Sequence, residues 1–208
     1  MARLNVNPTR MELRRLKNRL KTAVRGHKLL KDKSDETIRQ FMIYIKENKR
    51  LREELENKLS DSLRSFLLAG SVTTSQVLEE AVAMPAFNLE LTTGEANIMS
   101  VMVPTIQVKE GDKTDLYPYS FAAVSAELDD SIKNLSDLIA DLVHLAEVEK
   151  TCNMLADEIE KNRRRVNALE YVMIPQLEET IKYITMKLDE NERAATIRLM
   201  KVKTVIQQ

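Results

Sequence analysis

The chain is short of the residues that build wide globular cores: it has no tryptophan, four phenylalanines and five tyrosines among 208 residues. Glycine, at four, and proline, at five, are equally scarce, which argues against a fold of many turns. Gly26, Gly70, Gly94 and Gly111 stand isolated, so no glycine-rich phosphate-binding loop can be drawn. The single cysteine, Cys152, excludes an intrachain disulfide and fits a reducing compartment. Its place on an apolar stripe makes it a buried, inert thiol. No apolar run reaches membrane-spanning length and no signal-peptide pattern occurs, so any membrane association is expected to go through protein partners. His27 and His144 lie far apart in sequence and suggest no metal site, and the many carboxylates fall mainly on helix faces as solvated surface. No catalytic constellation emerges. The chain is expected not to be an enzyme by itself, with no metal or cofactor of its own.

What the chain has in quantity is periodicity. An apolar step of three and four runs through Leu128, Ile132, Leu135, Ile139 and Leu142. After a one-place slip it continues through Leu145, Val148, Cys152, Leu155 and Ile159, then Val166, Leu169, Met173, Leu177, Ile181, Ile184 and Leu188. It ends on Ala195, Val202 and Val205. Such spacing lays a narrow stripe along one side of a helix, the pattern of a coiled coil. A helix of roughly 80 residues would be about 120 Å long and needs a partner of similar length. The partner is the other end of the chain: Leu13, Leu16, Leu20, Ala23, His27, Leu30, Ser34, Thr37, Phe41 and Tyr44 repeat the step. Leu51, Leu55, Leu59 and Leu63 then follow as a run of fours, which locally unwinds a left-handed supercoil.

These patterns predict an all-α-dominated chain, a long antiparallel two-helix coiled coil with a small middle segment. Read as one elongated domain over 1–208, it divides into a first helix at 9–68, a middle segment at 69–119 and a second helix at 120–206. Asn7 is read as the first cap, with Pro8 in the first turn, and Ser120 as the second cap. Gly26 is read as admitting a close neighbour, and Gly70 as a C-terminal cap. Val77 to Met84 reads as a short helix stopped by Pro85. Phe87, Leu89 and Leu91, then Val101, Val103, Ile106 and Val108, read as a β-hairpin connected through Thr92–Glu95, with a turn at 109–113. Pro104 places its strand at an edge or a bulge. If Phe66 lies near Ser125, equal steps put His27 near Arg164 and Arg10 near Ile181.

Charge is balanced, with 32 basic and 32 acidic residues, but unevenly placed. Residues 3–33 carry eleven Lys or Arg against Glu12 and Asp32, and residues 72–130 carry ten acids against Lys109 and Lys113. The two ends therefore suggest different partners.

Two stretches carry a specific resemblance. NVNPTRMELRRLKNRLKTAVRGHKLLKDKSDE at 5–36 resembles the opening of the D subunits of V-type/A-type rotary ATPases. RRRVNALEYVMIPQLEETIKYITMKLDENER at 163–193 resembles the C-terminal signature of that family. The order, the spacing and the middle segment fit too, so the resemblance covers the whole chain. It implies a central rotor axle whose terminal helices insert into a ring of catalytic A and non-catalytic B subunits. The F subunit would bind along it, and a further component would link it to the membrane rotor ring. ATP would be bound by the A subunits, and the chain would lie peripherally on the cytoplasmic side of the membrane. The absence of a long tail after Gln208 looks more like the bacterial or archaeal type. A prefoldin-like holdase, which also joins long helices through β-hairpins, is the alternative. A nucleic-acid partner is not expected, since the fold signals of such modules are missing.

Within that frame the ring contact is expected on a basic collar: Arg10, Arg14, Arg15, Lys17, Arg19, Lys21 and Arg25 with Arg163, Arg164 and Arg165. The three C-terminal arginines would fall beside Arg25 and Lys28. The F subunit is expected on Leu51–Leu67 and Leu128–Val148, with Leu51, Leu55, Leu59, Leu63, Leu138, Ile139 and Leu142 as contacts. Pro175, inside a helix, would remove a hydrogen bond to the Tyr171 carbonyl and bend the helix.

Overall fold

The computed structural model describes residues 3–83, 89–110, 117, 119–120 and 124–207, apart from the side chain of Glu110. Helix α1 spans Arg10–Val72 and is followed by a short α2, Ser75–Val82. Strands β1, Leu89–Ile98, and β2, Val101–Glu110, precede the helix α3, Ala126–Ala168. A π-helical turn at Leu169–Met173 then leads straight into α4, Ile174–Ile206. The all-α-dominated architecture with one small hairpin is thus present, and in each place where helices of distant sequence meet they run antiparallel. Contacts group the chain into two units, Met1–Glu36 with Ile159–Gln208, and Thr37–Glu158.

In the first unit the cap of α1 lies two residues later than Asn7. Thr9 is the cap: its carbonyl accepts from Leu13 N–H at 3.0 Å and its hydroxyl accepts from Glu12 N–H at 3.2 Å. Thr9-Arg10-Met11-Glu12 has the spacing of a capping box, a signal that Asn7-Pro8 obscured. Leu16, Ala23, Leu177 and Ile184 form the buried core, flanked by Leu13, Leu20, Leu169, Ile174, Ile181 and Leu188. Arg10 pairs with Glu192, and His27 Nε2 lies 3.3 Å from Glu170 Oε2. The expected neighbours, Ile181 and Arg164, are therefore displaced by eleven and six residues. Gly26 approaches nothing: a Cβ there would meet no atom within 4 Å.

The largest departure from simple periodicity is at Pro175. The Ile174 N–H donates to the carbonyl of Leu169, five residues back instead of four. The π-turn thus spends one extra residue just ahead of the proline, whose missing N–H falls in the first turn of α4, where proline is tolerated. It also moves the core position. Met173, four after Leu169, is 39% exposed, and Ile174, five after, packs against the core.

In the second unit the satellite core is Ala69, Ala81 and Leu128, with Phe66, Leu78, Tyr119, Val124 and Ile132 around it. Phe66 therefore meets the start of α3, as expected. Gly70 does not end α1, which continues to Val72 with no glycine at positive φ. α3 starts at Ala126, not at Ser120. The short helix runs Ser75–Val82, while Met84, Pro85 and Phe87 lie outside the described residues, as does most of the 109–113 turn.

Two core positions in this unit are serines that the apolar step passed over. Ser62 and Ser131 are buried, whereas Leu63 is 48% exposed. The Ser131 hydroxyl donates to the Ser62 carbonyl at 3.0 Å, and the Ser62 hydroxyl donates to the Lys58 carbonyl. Small side chains let the helices approach, and the hydroxyls find acceptors in the backbone, so burial is not penalised. The run of fours accordingly stops at Leu59.

β1 and β2 pair antiparallel from Leu89↔Glu110 to Ile98↔Val101. The strand runs straight through Thr92–Glu95, where a connection was expected. The reversal is a two-residue turn at Met99 and Ser100, with φ 52° and 71°. Positive φ at both centres matches the twist of hairpin strands, and Asn97 Oδ1 accepts from Ser100 N–H at 2.9 Å to hold it. On β2, Ile106 N–H points outward and donates to Glu147 of α3 at 3.2 Å. N–H directions alternate along a strand, so Pro104, two residues away, turns its missing donor to the same outer edge and costs the ladder nothing.

Candidate interaction surfaces

The basic residues of the first unit are presented on the faces that the seam leaves free. Arg10, Arg14, Arg15, Lys17, Arg19, Lys21 and Arg25 on α1, and Arg163, Arg164 and Arg165 on α3, are all exposed. Three of them have acidic neighbours: Arg10 with Glu192, Arg15 with Glu12 at 3.2 Å, and Arg164 with Glu160. The pairs are solvent-exposed, a geometry in which each contributes little and exchanges readily. The three arginines do not stand beside Arg25 and Lys28. His27 meets Glu170, so Arg163–Arg165 fall further along α1, toward Glu36. The positive band is staggered.

Two features of this unit were not anticipated. The first is an amino-terminal arm. Leu4 packs on the core of Leu16, Ala23, Leu177 and Ile184, and its N–H donates to Thr180 Oγ1 at 3.2 Å. The Arg3 guanidinium lies 4.3 Å from the centre of the Tyr183 ring, a cation–π distance. Since Arg10 stands at Glu192, the arm doubles back along α4. The second is a ridge of Tyr171, Val172 and Met173, exposed by 61, 59 and 39% where the π-turn turns outward. Ile197, Leu199, Met200, Val202, Val205 and Ile206 are also exposed, on the stretch of α4 beyond Glu192. A proline in a helical repeat signals a disturbance, which here includes a π-turn just ahead of it.

The leucines of the second unit divide. Leu55 and Leu138 are buried at 5 and 4%, taken up by helix packing, while Leu63 and Leu142 are 48 and 41% exposed. Leu51, Leu59 and Ile139 are half-buried. Between α1 and α3 lies an open cleft of about 360 Å³ lined by Lys58, Asp61, Asn134, Asp137 and Asp141. Lys58 Nζ bridges to Asp141 at 3.0 Å, and Arg52 meets Glu149 at 3.3 Å. Ile38, Met42 and Ile45, spaced to share one flank of α1, are exposed and were not singled out, although the run Phe41-Met42-Ile43-Tyr44-Ile45 could have signalled an apolar belt. Burial, then Glu149 and Glu47, pushes the Cys152 thiol up, which keeps it protonated and unreactive. The Tyr119 hydroxyl donates to Asp129 at 2.5 Å, and burial together with that bond holds its pKa well above the ordinary tyrosine value.

Among the described residues no group of three or more His, Cys, Asp or Glu is arranged to hold a metal ion, and no helix is long and apolar enough to cross a membrane. The arrangement is that of a helical interaction scaffold: exposed basic and apolar faces on antiparallel helices. The pattern of the family of ATP synthase D subunits matches residues 12–204. The chain is 56% identical to the V-type ATP synthase D subunit of Clostridium botulinum (strain Alaska E43 / Type E3), over all of this chain and 99% of that protein. It is also 56% identical to that of Clostridium novyi (strain NT), over all of this chain and 98% of the relative. The chain belongs to the family of ATP synthase D subunits.

Proposed function

We propose that this chain is the central-stalk rotor component of a V-type/A-type ATPase, coupling ATP hydrolysis or synthesis in a catalytic ring to ion transport through a membrane rotor. The observation that carries the reading is the relation to V-type ATP synthase D subunits along the entire chain. The chain itself is non-catalytic: ATP is held by A subunits of a ring of A and B subunits, and the axle transmits torque. Its place is peripheral, on the cytoplasmic side of the membrane, joined to the rotor ring by a further component. The exposed basic residues of the first unit suit an acidic inner wall through many weak contacts, none deep enough to stall rotation. For the F subunit, the outward leucines Leu63 and Leu142 serve better than Leu55 and Leu138, which the helices already bury. The holdase alternative has no support in the family match.

Co-expression with A-, B- and F-type subunits tests the reading. The expected result is a complex containing all four chains whose ATP hydrolysis is lost when this chain is omitted or released. A ring that assembles and turns over normally while this chain stays outside it would overturn the assignment.

A further inference from the structure

After Leu169 the sequence offers two apolar residues for the next core position: Met173, four residues on, and Ile174, five residues on. An ordinary α-helix would use Met173. The structure uses Ile174, by way of the Ile174 N–H to Leu169 carbonyl bond. Pro175 explains why some irregularity is tolerated here, since no N–H at 175 is available to the Tyr171 carbonyl. Its ring also crowds that carbonyl in a regular helix, which already favours the five-residue turn. The choice of turn has a second participant. Leu4 lies on the core and borders an apolar cavity of about 230 Å³, whose other walls include Arg19, Ala168, Val172, Met173 and Leu177. The arm holds α4 just beyond the π-turn, through Leu4 N–H to Thr180 and Arg3 over Tyr183. Removing the extra residue from the turn would rotate one side of the helix against the other by about 100°. Thr180 and Tyr183 could not then both face the arm while Ala168 and Leu169 keep their places. The arm therefore fits only the five-residue register, and a contact made in one state alone must favour that state.

We propose that Arg3–Thr9 is a strap that selects the register of the π-turn, with Ile174 inward and Met173 outward, and that its release lets Met173 enter the core. The device reshapes the Tyr171–Val172–Met173 ridge, and it does not depend on the rotor reading. A partner that displaces the arm changes the ridge, and a partner that grips the ridge strengthens the strap.

The test uses the full chain with Cys152→Ser and a single cysteine at either Met173→Cys or Ile174→Cys, labelled with a water-soluble maleimide. With the arm intact, position 173 labels faster. In Leu4→Ala/Thr180→Val the 173-to-174 rate ratio is expected to fall by about tenfold as the population with Met173 inward grows. Thr180→Val alone keeps the buried volume and removes the acceptor for Leu4, together with the hydroxyl's own bond to the Gln176 carbonyl within α4, so it should move the ratio the same way by a smaller factor. An unchanged ratio would overturn the proposal. So would equal acceleration at both positions, which would mean that the arm merely shields the turn.

Discussion

The two units carry one repeating stripe past its irregular places in different ways. The first buries large aliphatic groups, Leu16, Leu177 and Ile184, and meets the irregularity at Pro175 by changing the helix itself. Its most buried amide, Asn162, at 1% exposure, has neither polar atom hydrogen-bonded among the described residues. The second keeps its helices regular and, beside aliphatic groups such as Leu128 and Leu155, buries Ser62, Ser131 and Thr151, each giving its hydroxyl proton to a backbone carbonyl, as the buried Thr180 of the first unit also does. It adds a satellite core and a hairpin anchored by Glu147. Apolar content thus does not locate the core by itself. A serine with a carbonyl in reach can replace an aliphatic residue, whereas an asparagine without a partner is costly to bury.

The largest expected effects come from the cores. Leu177→Ala in the first unit and Leu128→Ala in the second should each destabilise by about 2–5 kcal/mol, since both side chains are essentially fully buried. Hydrogen exchange should place most of the lost protection in the unit that carries the substitution. Uniform loss throughout the chain would show that the two units are one cooperative body, and the comparison would break.

A pair of smaller changes sharpens it. Asn162→Leu removes a buried amide without partners and should stabilise the first unit, by as much as about 1–3 kcal/mol if the larger apolar group packs. Ser131→Ala loses a satisfied hydrogen bond and should cost the second unit about 0.5–1.5 kcal/mol. Chemical denaturation of both variants reads the signs directly. A destabilising Asn162→Leu would mean that the amide is satisfied after all.

These same residues show how far the sequence could be read. The helix pairing, the hairpin and the edge position of Pro104 follow from periodicities of 3.5 and 2 and from the chemistry of proline. The register does not follow: Ile132 does pack on the core, but the step runs through Leu63 and Met173, which are exposed, where Ser62 and Ile174 face inward. In each case a neighbouring residue was the more apolar or the better spaced, and the deciding fact was a partner far away in sequence. The collar residues were legible as exposed charges, but their stagger depends on that register. The arm was legible only as an extended lead, since nothing local in Arg3-Leu4 announces Thr180 or Tyr183.

Tyr119 gives the second unit a pH dependence in the alkaline range. Its folded pKa is raised above the ordinary value of 10.0, first by burial and then by the bond to Asp129. The unfolded chain therefore releases this proton earlier than the folded one. The stabilisation is complete below pH 10 and declines as pH rises beyond it toward the folded pKa. Tyr119→Phe should flatten that alkaline decline in thermal unfolding of the whole chain. An identical slope in both proteins would assign it to other groups.

The smallest effect belongs to the exposed arginines of the first unit. Arg164 is 76% exposed and its acidic neighbour, Glu160, lies one turn away on the same helix. Exposed pairs of this kind contribute about 0.2–1 kcal/mol in general, and salt screens them. Arg164→Ala should therefore leave the fold unchanged and barely alter turnover of a reconstituted ATPase. The proposed axle role makes a different demand on the group as a whole. If the surrounding wall is acidic, reversing Arg163, Arg164 and Arg165 together to Glu turns three weak attractions into three repulsions, and the sum is no longer small. Insertion into a preformed ring should weaken at low ionic strength and recover partly as salt rises, the opposite of the wild-type trend. The decisive measurement is ATP hydrolysis after reconstitution at several salt concentrations. A triple reversal that inserts and turns over like wild type at low salt would show that this face meets only solvent, and would leave the ridge at Tyr171–Met173 as the surface to test next.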